Sequence, residues 1–462
     1  MSVKGAFILP HPPIIIPGVG KGEEVKIKKT EEAYKQIAQQ IAKLKPSTIV
    51  IISSHATCYR DYFHISPGEK ASGSLSEFNA PSVYFEAEYD NEFVVELTNN
   101  AIKEAFPAGF FGESEPSLDH GTIIPLYFIC REYSDFNLVR IGLSGLSYED
   151  HYRLGMLISD TANKLSRDIV VIGSGDLSHK YSPESPYGFN PSGPVYDDRI
   201  TDLFKRKAFD ELFDFDEELC NSAAECGQRA FCVALGALNG KNVEENLLSH
   251  EAPFGVGYAV ASFIVTEDDS GRCFYENYLN KQQAVLKEIR ASEDEYVSLA
   301  RQSLEEFVKN DKALLPPENM APVFYDSKAG VFVSIHLNNK LRGCMGSILP
   351  IQKNLASEII SNSISSGIRD PRFLPVTLRE LDKLVYEVDI LSTPEPIADA
   401  SSLDVKKYGV IVEKGEKRGL LLPDLEGVDS VAEQIKIAKI KADIDIEDND
   451  VILKRFTVER HK

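Results

Sequence analysis

At 462 residues and 43% hydrophobic content, the chain is long enough for more than one core and apolar enough to bury them. Acidic residues outnumber basic ones by 71 to 50, and the formal net charge of −21 argues against nucleic acid or an anionic membrane surface as the main partner. No apolar run approaches the ~20 residues of a membrane span, the N-terminus shows no small-residue cleavage site, and the 7 cysteines are dispersed without a CxxC pair, so a reduced, cytoplasmic setting is expected.

In chain order, "GAFIL" (5–9), "STIVIIS" (47–53), "NLVRIGL" (137–143) and "DIVVIG" (168–173) predict strands buried on both faces. Residues 26–44, 91–106 and 149–165 predict helices between them; in the first, Ile27, Tyr34, Ile37, Ile41 and Leu44 recur at helical spacing. "GVGYAVASFIV" (255–265) reads as a last strand. This alternation predicts an α/β domain with a largely parallel sheet over residues 1–275. A charged helical stretch (280–311) and the proline-broken "LLPPENMAP" (314–322) follow, placing a boundary near 270–290. From 285 to 462 the rhythm changes: "GVFVSIHLNNKLRGCMGSI" reads as two strands about an Asn-Asn turn, and "LVYEVDIL" and "YGVIVEKGEKRGLLLP" as a strand and a hairpin. With helical segments at 352–366 and 429–441, this is a smaller α+β domain.

Open α/β sheets place their ligand sites outside the carboxyl ends of the strands. His11, His55 and His179 each follow an apolar strand by a few residues and are expected on one edge of the sheet; His120, in the turn-like "DHG", reaches the same edge. Neutral imidazole is the commonest side-chain metal ligand and a proton shuttle near pH 7. Glu225 and Cys226 stand just before the helical run of "NSAAECGQRAFCVALGAL" (221–238). Two imidazoles and one carboxylate form the facial triad of non-haem Fe(II) oxygenases; His11, His55 and Glu225 could supply it, leaving His120 and His179 as acid and base. On spacing alone Glu225 reads as an acid at a helix N-terminus. His64 reads as a loop or surface residue, and His336 lies on one side of a strand with no assigned role.

"PHPP", "SSH", "DHGTIIPL", "GSGDLSH" and "ECGQRAFCVALGAL", in this order over residues 1–268, resemble the class III extradiol ring-cleavage dioxygenases of LigB type and the related Memo family. The dioxygenase resemblance implies His11, His55 and Glu225 as Fe(II) ligands, His120 and His179 as catalytic histidines, and a small aromatic diol as substrate. The Memo resemblance puts Cys226 in the third ligand place and reads Asp176 and His179 as an SDxxH-like pair. A thiolate ligand would favour zinc or copper over iron. "LRGCMGSILP" (341–350) and "SSGIRDPRFLPVTLRELDKLVYEVDILSTP" (365–394) resemble the AMMECR family, whose activity is undefined. The two domains together resemble AmmeMemoRadiSam system proteins, which implies a radical SAM partner, and relatives of the first domain imply a homodimer.

In the second domain Gly343 and Gly346 flank Cys344 and permit close backbone approach. Arg342 is placed to favour a Cys344 thiolate, making that residue a candidate nucleophile or redox site. Arg369, Asp370 and Arg372 bind an anionic ligand or pair with one another.

Overall fold

The structure is a computed structural model describing residues 2–114, 117–337, 340–425 and 427–462. The chain divides into two compact units, Met1–Asn280 and Lys281–Lys462.

The first unit is built on six strands: β1 (Val3–Leu9), β2 (Thr48–Ser53), β3 (Asn137–Gly142), β4 (Ile169–Ser174), β5 (Lys241–Glu251) and β6 (Tyr258–Asp268). Their spatial order is β3-β2-β4-β1-β6-β5. The first four run parallel, β6 joins β1 antiparallel, and β5 pairs with β6 as an antiparallel edge. Strands covered on both faces need apolar side chains at every position. In β2, Val50 and Ile52 enter one core while Ile49 and Ile51 enter the other, all fully buried. Helices α1 (Lys28–Leu44) and α2 (His120–Ile129) cover one face; α3 (Tyr148–Leu165) and α4 (Gln228–Gly236) cover the other. β5 escapes sequence reading because "KNVEENLLSHE" is largely polar, as suits an edge strand with partly exposed residues.

The charged stretch expected as one helix is two: α5 (Phe274–Ser292) and α6 (Glu295–Asn310). The chain breaks at Asp294, whose carboxylate accepts the N–H groups of Tyr296 and Val297 as an N-cap.

The second unit carries β7 (Gly330–Leu337), β8 (Lys340–Ser347), β9 (Leu384–Leu391), β10 (Glu395–Ile397), β11 (Gly409–Lys414), β12 (Lys417–Leu421), β13 (Ile452–Phe456) and β14 (Val458–His461). They form two four-stranded sheets, β8-β7-β9-β14 and β10-β13-β11-β12. Helix α7 (Leu355–Ile368) packs with α6 on the first sheet, and α8 (Val431–Lys441) packs on the second. β7 and β8 pair antiparallel as expected; the Asn338–Asn339 turn lies outside the described residues.

Candidate metal centre

The carboxyl ends of β1, β2 and β4 and the amino end of α2 meet at one edge of the first sheet. His11 follows β1, His55 follows β2, and His120 opens α2 behind the N-cap Asp119, which accepts the Thr122 N–H at 3.0 Å. One ring nitrogen from each of His11, His55 and His120 lies within 4.8 Å of the others, the one such three-residue group of metal-ligating side chains among the described residues. His11 Nε2 faces His55 Nε2 at 3.1 Å, and the His55 and His120 ring centroids are 3.9 Å apart.

This proximity depends on close packing of backbones. A Cβ on Gly121 would stand 2.4 Å from Ser53 Oγ and 3.4 Å from His11 Nδ1, so the start of α2 can settle against β1 and β2 only with glycine there. Ser53 Oγ in turn donates to Asp119 Oδ1 at 2.6 Å, tying the end of β2 to the cap of α2.

Hydrogen bonding sets the tautomer of His11. Ser174 Oγ donates its proton to the Gly121 carbonyl at 2.6 Å, so at 3.0 Å from His11 Nδ1 it accepts an N–H. The lone pair of His11 is therefore on Nε2, turned towards the other rings. Burial and the neighbouring imidazoles hold His11 and His120 down at about 3, so both are neutral at pH 7. Imidazole nitrogens gathered at one place suit a borderline transition metal rather than Mg²⁺ or Ca²⁺. The 3.1 Å between His11 Nε2 and His55 Nε2 fits the roughly 3.0–3.4 Å that metal–nitrogen bonds of ~2.1 Å impose on neighbouring ligand atoms.

Glu225, expected as the third ligand with Cys226 as its alternative, is not one of the three residues of that cluster. Its Oε2 accepts the Gln228 N–H at 2.6 Å at the start of α4, which directs the carboxylate along that helix, while burial raises its pKa to about 7. The adjacent Cys226 points the other way, with Sγ 3.5 Å from His11 Nε2 and 3.2 Å from the Asp176 N–H, from which it accepts. Its contact rests on Gly175, where a Cβ would stand 2.2 Å from the Gly227 Cα. His120, expected as a catalytic group outside the ligand shell, instead stands within the histidine triad.

Asp176 Oδ1 accepts the His11 N–H at 2.7 Å, and its Oδ2 is 4.0 Å from His179 Nε2. Burial raises Asp176 to about 6 while His179 opposes that shift. His179 Nδ1 is buried without a hydrogen-bond partner. A cavity of about 710 Å³ opens beside the triad, lined by His55, His120, Phe78, Asp119 and the fully buried Arg140. Arg140 was not singled out from sequence because it lies mid-strand in β3; its Nε donates to Ser66 Oγ at 2.9 Å. His64, expected at the surface, is fully buried on a short strand beside this region, with Nε2 2.9 Å from the Glu113 carbonyl oxygen.

In the second unit, Arg342 does not support Cys344: it forks onto Glu380, Nε donating to Oε1 at 2.7 Å and Nη2 to Oε2 at 3.3 Å. The basic neighbour of Cys344 is Arg372, which donates to the Cys344 carbonyl at 3.3 Å and pairs with Asp370 through Nε and Nη2. Arg369 is exposed at the end of α7. Gly343 admits no ligand; a Cβ there would stand 2.1 Å from the Ser366 carbonyl oxygen, so it serves the packing of α7 on β8.

Comparison with known proteins places both units. Residues 5–261 match the family described as the catalytic LigB subunit of aromatic ring-opening dioxygenase, and residues 297–461 match the AMMECR1 family. Protein CA_C1420 of Clostridium acetobutylicum is 39% identical over the full length of both chains. A Thermotoga maritima protein is 52% identical over 171 residues, covering 37% of this chain and 98% of its own. Among solved structures, protein PH0010 of Pyrococcus horikoshii is 37% identical over 36% of this chain and 88% of its own, with a TM-score of 0.34.

Proposed function

Because the chain belongs to the LigB family of ring-opening dioxygenase subunits, joined to an AMMECR1 domain, we propose that its first unit is a metal-dependent oxidoreductase that opens a catechol-like ring with dioxygen. The observation that carries this reading is the convergence of His11, His55 and His120 on one point beside a cavity. Fe(II) is the metal proposed; when bound, it would supply a centre on which an aromatic diol and dioxygen can meet.

The protein's own groups have distinct tasks in this scheme. Ser174 holds the His11 ring in the tautomer that presents Nε2. His179, with a buried unpartnered Nδ1 and Asp176 nearby, takes the phenolic proton as the diol binds. Phe78, whose ring is 5.1 Å from that of His120, and Arg140 form the walls against which the diol is oriented.

Reconstitution with Fe(II) under anaerobic conditions, followed by oxygen consumption against a panel of catechols, tests the proposal. One iron per chain and oxygen uptake, both lost in His11→Ala, are expected; a folded, iron-loaded protein inert towards every catechol would leave only metal binding. A second reading has its own support: Cys226 Sγ, 3.5 Å from His11 Nε2, suits a Memo-like metal protein that acts with a radical SAM partner rather than as a dioxygenase. Cobalt(II) substitution separates the two, since a sulfur-to-metal charge-transfer band that vanishes in Cys226→Ser belongs to the thiolate site. Association into a homodimer belongs to either reading, and sedimentation measures it.

A further inference from the structure

Among the described residues, the His179 ring has no hydrogen bond to aim it: Nδ1 is buried without a partner, and Nε2 lies 4.0 Å from Asp176 Oδ2. A general base must be held within reach of the proton it takes, and a third group commonly orients the ring. For His179 that orientation has to come from the backbone on either side of it.

That backbone is fastened to the turn between β5 and β6. The Leu177 N–H donates to the Gly257 carbonyl at 2.8 Å, the Gly257 N–H to the Ser178 carbonyl at 2.8 Å, and the Tyr181 N–H to the Gly255 carbonyl at 3.1 Å. Ser178 Oγ donates to the Ala223 carbonyl at 3.1 Å and accepts the Lys180 N–H at 3.0 Å. The remaining polar group of Ser178, its N–H, goes to a side chain, Asp197 Oδ1, at 2.9 Å. The other oxygen of that carboxylate accepts from His250 Nε2 at 3.1 Å. Asp197 is fully buried on the helix Ser192–Arg206, and His250 is a part-exposed residue of β5.

A buried carboxylate is a costly acceptor for one backbone N–H unless its charge is paired and hydrogen-bonded. Burial pushes the Asp197 carboxyl up, and the hydrogen bonds from His250 and the Ser178 N–H draw it back down. The packing is shaped to admit it: a Cβ on Gly257 would stand 1.9 Å from Asp197 Oδ2 and 2.9 Å from Leu177 Cβ, so glycine is required where the carboxylate and the segment before His179 close on β6. Each oxygen of Asp197 has a partner, and neither bond reaches the His179 ring. What the pair fixes is the residue preceding His179.

We propose that Asp197, braced by His250, is a positioning residue that sets the place of His179. The inference rests on the reading above in which His179 takes the phenolic proton of the diol. Asp197 anchors the Ser178 N–H, His250 keeps the carboxylate from turning, and the His179 ring is held in place without a hydrogen bond of its own.

The test uses the full chain. Diethyl pyrocarbonate labelling, with peptide mass assigning the modified ring, reads the placement of His179 without substrate. Asp197→Ala and His250→Ala should each raise its labelling at least about fivefold, while the fully buried His64 stays slow. Asp197→Asn and His250→Gln keep the bridging hydrogen bonds and should stay within about twofold of the parent. Should Asp197→Ala fail to fold, His250→Ala, at a part-exposed ring, carries the measurement. On the Fe(II)-loaded protein without oxygen, 4-nitrocatechol reads the consequence, because its visible spectrum separates the monoanion from the dianion. The parent should bind the dianion at about pH 7, and the alanine variants should need a pH about one unit higher at unchanged iron content, with the conservative variants matching the parent. Labelling of His179 unchanged in the alanine variants, or raised equally in the conservative ones, would overturn the proposal, as would raised labelling with the ionisation of 4-nitrocatechol unmoved. A parent that binds no 4-nitrocatechol counts against the ring-opening reading instead, and the labelling still decides the placement of His179.

Discussion

We propose that His120 rather than Glu225 completes the metal-binding set, and the assignment can be measured. His120→Ala removes one of three converging ring nitrogens and is expected to abolish stoichiometric metal binding, whereas Glu225→Gln should leave it intact. Elemental analysis of both variants after reconstitution decides this; equal metal loss from the two would return Glu225 to the ligand set. Glu225 also has a pH signature. Its folded pKa of about 7 lies above the ~4.3 of an unfolded glutamate, so between these values the folded chain holds a proton that the unfolded chain has shed. The contribution of this group to stability is therefore present below ~4.3 and is lost as pH rises towards 7. Glutamine keeps an acceptor for the Gln228 N–H but does not titrate, so the stability of Glu225→Gln relative to the parent should rise from pH 5 to 7 and then level off. Urea midpoints across that range give the difference directly; a constant offset would mean that the carboxylate does not titrate in this window.

At the scale of elements, strand ends hold the site and small residues let them touch. Gly121→Ala pushes a methyl group into Ser53 Oγ and Asp119 Oδ1, both engaged in the cap of α2. A cost of about 1–3 kcal/mol is expected from overpacking, together with at least a tenfold loss of metal affinity as His120 shifts. Thermal unfolding and metal titration of this one variant read both effects; lost stability with unchanged affinity would show that His120 is placed by something other than the start of α2. The same elements show what was legible in the sequence. Doubly buried strands announce themselves by continuous apolar runs, so β1, β2, β3 and β4 could be read, and with them the common edge of His11 and His55. What could not be read was rotation. Glu225 and Cys226 are neighbours in a loop between helices, and no periodicity says which of them faces β1. Likewise "DHG" shows a capping aspartate but not that the first residue of the helix it caps is aimed at two other imidazoles. In β8 the alternation was available, yet Arg342 still looked like the partner of Cys344, because adjacency along a strand reads as contact although neighbouring side chains diverge.

At the scale of the whole molecule, the imidazole cluster lies in Met1–Asn280, and Lys281–Lys462 is a second compact unit. A ligand that binds only the native form of one unit stabilises that unit by mass action, by about 2.7 kcal/mol at a hundredfold excess over Kd. For a unit of this size that shift is roughly 5 °C or more. Each unit has its own buried clusters, so scanning calorimetry of the full chain should resolve two transitions. Adding Fe(II) or Zn(II) should raise only the one belonging to the first unit, and His55→Ala should make that transition indifferent to metal. A single transition that rises as one with metal would mean instead that the two units unfold together.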